Sequence, residues 1–99
     1  MAAYLIVESN ISDPEAFQRY VEAAPVVVAQ FGGEYLVRGG AVETLEGDWT
    51  PSRLTVLRYP DMDTARAMYD SPEYVAARAL RAGTTAMFDM VLVEGYEPA

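Results

Sequence analysis

The chain contains no cysteine, no histidine and no lysine. Without cysteine there is no disulfide frame, no thiolate nucleophile and no iron–sulfur or Cys-type zinc site. Without histidine there is no Ser-His-Asp triad, no His-ligated metal or haem, and no side chain that ordinarily titrates near neutrality. Positive charge is scarce: seven Arg stand against fifteen Asp and Glu in 99 residues, a net charge of −8. Such a chain repels phosphate backbones and anionic lipid, so no nucleic acid and no membrane is expected as a partner. Long apolar runs are missing too, none approaching the ~20 residues of a spanning helix. The segment Met1-Ala2-Ala3-Tyr4 lacks the basic start of an export signal. A cytoplasmic protein is the expectation. What is present is a 52% apolar composition, which argues against disorder and suits one folded domain over residues 1–99.

The apolar run Ala3 to Glu8 reads as a first strand. Asp13-Pro14-Glu15 then opens a helix: Asp13 can accept from free N–H groups, and Pro14 sits where its missing N–H costs nothing. Phe17, Tyr20, Val21, Ala24, Val27, Val28 and Phe31 follow at helical spacing, and Pro25 within them predicts a kink or a restart. Gly32-Gly33 stops the helix. Glu34 to Arg38 reads as a second strand, with Gly39-Gly40 suited to a bulge or a tight bend. Ala41 to Leu45 either continues that strand or crosses to the next, and Glu46 to Ser52 is a loop by composition. Arg53 to Tyr59 is a third strand. Asp61 caps a second helix, which breaks at the Asp70-Ser71-Pro72-Glu73 start signal, with Ser71 as the new cap. Gly83 ends that helix, and Met87 to Glu94 is a fourth strand.

The order βαββαβ predicts an α+β, ferredoxin-like two-layer sandwich with a four-stranded antiparallel sheet. In such a fold helices cover one sheet face, and strands should alternate apolar with polar. Here the first and fourth strands are apolar on both faces: Tyr4 and Ile6 against Leu5 and Val7, and Met87, Val91 and Val93 against Phe88, Met90 and Leu92. A large bare apolar face is unusual on a soluble monomer. The pattern therefore predicts a homodimer, with the two sheets packed on each other.

With this order in place, a set of fragments stands out: Pro14-Glu15, Tyr20, Pro25, Gly32-Gly33, Arg38-Gly39-Gly40, Leu45-Glu46-Gly47, Arg53, Tyr69, Ser71-Pro72-Glu73-Tyr74, Arg81 and Val93-Glu94-Gly95. Together they resemble the signature of the domain-of-unknown-function family 1330, from Tyr4 to Gly95. The resemblance implies a ferredoxin-like monomer that pairs sheet-to-sheet as a dimeric α+β barrel. The wider superfamily includes cofactor-free monooxygenases, muconolactone-type isomerases, haem-dependent chlorite dismutases and stress-response proteins, so it implies a fold rather than a reaction. Many of its members use a histidine, and this chain has none.

Chemistry must then rest on other residues. Guanidinium groups could hold a carboxylate or an enolate through paired hydrogen bonds, and Arg38, Arg53 and Arg81 fall at signature positions. Glu46 is the candidate acid or base, with a solvated turn or an ion pair to Arg53 as its bland role. Tyr20 and Tyr74 could face one cavity and orient an aromatic or quinone-like substrate, Tyr74 also handling protons, with a place in the core or the dimer interface as their bland role. Trp49 is a candidate lid over a pocket, or an interface anchor. Asp89 interrupts an apolar strand and should be exposed or paired with an arginine. No Gly-rich phosphate loop is present, and Asp61 and Asp63 read as helix caps. No cofactor and no metal site is expected. Two functions fit: a cofactor-independent enzyme (monooxygenase or isomerase type) acting on a small anionic or aromatic metabolite, or a non-catalytic dimer that binds a metabolite or a protein.

Overall fold

In the computed structural model, which describes residues 1–98, the element order is β1 (Ala3–Ile11), α1 (Pro14–Gln30), β2 (Glu34–Arg38), β3 (Leu54–Tyr59), α2 (Met62–Asp70), α3 (Pro72–Ala79) and β4 (Thr85–Glu94). The strands form one antiparallel sheet in the order β2-β3-β1-β4. This is the ferredoxin-like arrangement, with the second helix split in two. No helix among the described residues is long and apolar enough to cross a membrane.

The helix starts follow the expected capping chemistry. The Asp13 carboxylate accepts from the Ala16 N–H, and Asp61 from Thr64. Ser71 serves two helices at once. Its hydroxyl donates to the Met68 carbonyl at the end of α2 (2.7 Å) and accepts the Tyr74 N–H at the start of α3 (3.1 Å).

Two expectations need correction. The first strand runs past Ser9-Asn10 to Ile11, because β4 begins at Thr85 and pairs with the extra length. Pro25 does not restart α1, which is continuous from Pro14 to Gln30. In addition, Ala41 to Leu45 forms no strand.

Side chains divide cleanly between the sheet faces. Leu5, Val7, Leu57, Tyr59, Met90 and Leu92 point under the helices, where they meet Val28, Met68 and Tyr74. Tyr59 packs against Gly33 so closely that a Cβ there would lie 2.6 Å from its ring. The other face is bare. The pairs Val37–Val56, Val56–Ile6 and Ile6–Val91 place one aliphatic row across all four strands. Val91 is 60% exposed. On one side of this row Arg58 pairs with Glu34 (3.0 Å) beside Tyr4, and on the other Glu8 stands opposite Asp89. Asp89 is exposed on the edge strand β4.

Ser71 lends itself to a direct test, being buried and holding both helix ends. Ser71→Ala is expected to destabilise the fold by about 1–2 kcal/mol, a fall in melting temperature of about 4–8 °C for each kcal/mol in a domain this size. An unchanged melting curve would show that neither helix end depends on the hydroxyl.

Candidate functional site

Arg38 reaches the helix-covered side of the sheet through a backbone irregularity. In a regular strand, residues 35 and 37 would share a face. The register of β2 against β3 slips between Tyr35 and Val37, so Tyr35 pairs with Leu57 and Arg38 with Thr55. The extra residue turns Val37 to the bare face and sends Tyr35 and Arg38 under the helices. There the Arg38 guanidinium stacks on the Tyr35 ring, 4.6 Å from its centroid, and donates to the Val21 carbonyl at 3.0 Å.

That carbonyl is free for a reason written in α1. A helical carbonyl accepts from the N–H four residues on, and four residues after Val21 stands Pro25, which has none. The guanidinium fills the vacancy.

Arg53, just before β3, approaches from the other side. Gly39 (φ 70°) leaves room for it, since a Cβ there would lie 2.8 Å from its Nη1. Among the described residues neither Arg38 nor Arg53 has a carboxylate within salt-bridge distance.

The two arginines open onto a cleft of about 50 Å³ between helices and sheet. Its walls include Ser9, Thr55, Tyr20, Tyr74 and Phe88, and its deep side is Ala24, Val28, Leu57 and Met68. No acidic residue lines it, and Arg38 is the sole lining residue that is exposed. Tyr20 of α1 and Tyr74 of α3 face each other across the helix seam, hydroxyl to hydroxyl at 2.6 Å. One O–H hydrogen spans that pair, which leaves the other free to donate into the cleft. Burial, and then the neighbouring Tyr74 hydroxyl, push the Tyr20 phenol well above its ordinary value. Arg81 stacks over Phe88 (3.8 Å) and Tyr20 (5.1 Å), and its buried Nε has no partner. With Arg78 it lines an open groove that shares Phe88 with the cleft.

The structure thus brings together Tyr20, Arg38, Arg53 and Tyr74, with Arg81 behind them. It does not bring Glu46 or Trp49 to the cleft. Both lie on the exposed segment between β2 and β3, beside Val42 and Leu45. The Trp49 indole N–H donates to the Glu8 carboxylate at 3.1 Å, which draws this loop toward the bare sheet face. Glu46 makes no ion pair with Arg53. Ser9, Thr55, Tyr35 and Phe88 were missed as lining residues. Alternation from Val7 could have found Ser9, but Tyr35 depends on the bulge, which nothing in Glu34 to Arg38 announces.

The pattern of the family described as "Domain of unknown function (DUF1330)" matches residues 2–96. The chain belongs to this family. Among solved structures, a protein of unknown function from Rhodopseudomonas palustris is similar at 17% identity and a TM-score of 0.77, over 98% of this chain and 84% of that one. A dimeric ferredoxin-like protein of unknown function from Thermobifida fusca shares 21% identity with a TM-score of 0.64, over 95% of this chain and 91% of that one. A Nitrosomonas europaea protein provisionally named an antibiotic biosynthesis monooxygenase gives 18% identity and a TM-score of 0.59, covering 98% of this chain and 92% of that one. At these identities the likeness shows the fold alone. No curated protein is significantly similar in sequence.

The buried phenol makes a pH prediction for this DUF1330 chain. Its pKa is raised in the fold, so the associated stability is complete below the ordinary pKa of 10.0 and is lost as pH rises above it. Thermal melts from pH 8 to 12 should show stability falling beyond pH 10. Tyr20→Phe should melt lower at pH 8, for want of the hydroxyl pair, and fall less steeply beyond pH 10. Equal slopes for the two proteins would show that Tyr20 is not the titrating group.

Proposed function

We propose that this DUF1330 chain is a homodimeric binding protein for a small anionic metabolite, held in the cleft by Arg38 and Arg53. The carrying observation is the convergence of two arginines on one cleft whose walls include no acidic residue, neither arginine having a carboxylate within salt-bridge distance among the described residues. Among the described residues most arginines of this chain pair with no carboxylate, so it is the meeting of two of them at one acid-free cleft that makes a receptor for a carboxylate. Tyr20 and Tyr74 supply a neutral hydrogen-bond donor beside it, and Arg81 adds positive charge behind the aromatic wall. Should a reaction occur there, Tyr74 is the group placed to pass a proton.

The experiment is calorimetric titration with small carboxylates. Arg38→Gln and Arg53→Gln should each weaken binding at least tenfold, the scale of a lost charged hydrogen bond. Arg19→Gln on α1, away from the cleft and equal in charge change, is the control. Pro25→Ala restores an N–H to the Val21 carbonyl; it should raise the melting temperature while weakening binding several-fold. Equal affinities across the arginine variants would overturn the proposal.

The dimer rests on the bare face. Its aliphatic row with a charged border has the anatomy of an interface, and the Thermobifida fusca protein of the same fold is described as dimeric. Ile6→Glu sets a charge in the middle of the row. Sedimentation should find the wild type as a dimer and Ile6→Glu as a monomer with unchanged circular dichroism. A monomeric wild type at tens of micromolar would remove the dimer from the proposal.

A further inference from the structure

The cleft sets a limit on what its occupant can be. At roughly 30 Å³ for each water-sized group, a volume of about 50 Å³ admits about two such groups. Its character changes with depth. The deep walls are the buried side chains of Ala24, Val28, Leu57 and Met68, and the cationic groups stand at the rim, where Arg38 is exposed and Arg53 partly so. An ionised carboxylate pushed among the deep side chains would lose its hydration and gain no cation, which is strongly unfavourable. The same group at the rim meets two guanidinium forks. An apolar chain in the interior replaces empty space with contacts. The orientation follows: charge outward, chain inward.

We infer that the ligand is a short, straight-chain monocarboxylate, with its carboxylate on Arg38 and Arg53 and a chain of two or three carbons, about two of them inside the cleft beside Tyr74. The inference rests on the anion-binding reading above and adds the class of molecule and its polarity of entry. A six-membered aromatic ring is too large for the interior. A dicarboxylate would carry its second charge into the apolar end. The Tyr20–Tyr74 pair has one O–H to offer, and Ser9 and Thr55 also line the cleft, so an oxygen on the chain can be accommodated.

The test uses the whole protein and the straight-chain acids from acetate to octanoate, with benzoate, succinate and the amide of the tightest binder alongside. Affinity should rise about fourfold for each added methylene, the ratio that corresponds to burying one such group. It should peak between propanoate and butanoate and fall by octanoate. Benzoate, succinate and the amide should each bind at least tenfold more weakly than the best acid. Two variants move the peak in opposite directions. Ala24→Leu fills the deep end and should shift the optimum to a shorter acid. Val28→Ala enlarges it and should shift the optimum to a longer one, so the inference stays testable if one of the two fails to fold. Affinity independent of chain length but still lost in Arg53→Gln would overturn the inference and leave the anion-binding reading standing. Tightest binding by benzoate would do the same. Binding indifferent to Arg53→Gln, or no binding by any acid, would overturn both.

Discussion

A sheet has two faces, and the three helices of this chain lie on one of them. Most of the molecule's other properties follow from that constraint. The covered face needs aliphatic side chains at alternate positions, and Leu5, Val7, Leu57, Met90 and Leu92 provide them. A bare face in water needs polar ones, yet its centre is Val37, Val56, Ile6 and Val91. A monomer would carry that row as a standing liability to association. Polar residues flank it on both sides, with Arg58 and Glu34 along one border and Glu8 and Asp89 along the other. Turning a second copy about an axis along the aliphatic row would set each Arg58–Glu34 border, neutral as a pair, against a border of Glu8 and Asp89. The apolar row supplies driving force in such a pair, and the borders supply register.

The covered side is organised by two local departures from regular backbone. A one-residue bulge in β2 changes which face Arg38 occupies. A proline in α1 changes what Arg38 finds there. Interior prolines normally weaken a helix, partly because one carbonyl loses its N–H. In this chain the deprived carbonyl belongs to Val21, and the displaced arginine supplies the missing donor. Neither irregularity alone would hold the guanidinium at the cleft mouth. Without the bulge, Arg38 would face the bare side. Without the proline, the Val21 carbonyl would already be engaged within the helix. The fold gives up regularity twice and gains one fixed cation.

The framework was legible in the sequence because it depends on local rules. Asp13, Asp61 and Ser71 cap as their positions imply, Gly32 takes the left-handed conformation (φ 72°) expected after a helix, and two-sided hydrophobicity in β1 and β4 marks the bare face. Tyr20, Arg38, Arg53, Tyr74 and Arg81 were identified as candidates from residue type and family signature, but their convergence was not legible. It depends on strand register, and a single slip reassigns every later side chain in β2. Of the bulge or tight bend expected at Gly39-Gly40, the bend is what forms, where the strand ends. Glu46 drew attention as an acid in a Gly-rich loop, and the structure puts it on the outer segment. The course of that segment is set by a contact between Trp49 and Glu8, forty-one residues apart, which no local pattern encodes. Pro25 was read as a kink or a restart, because the arginine that meets the Val21 carbonyl comes from across the fold.

Charge distribution bears on selectivity. A net charge of −8 would deter a large polyanion, which must approach many surface acids at once. A small anion entering between Arg38 and Arg53 is different. At physiological salt, screening acts over about 8 Å, so the distant acids are largely muted and the nearby guanidinium groups dominate. The interior then discriminates again, since it can hide a few carbons and has no second cation. Overall negative charge and a cationic mouth are therefore not in conflict: under the proposed function the first would limit which anions reach the surface, and the second would hold one small enough to fit. Arg81, stacked on Phe88 and Tyr20, would add positive potential through that aromatic wall.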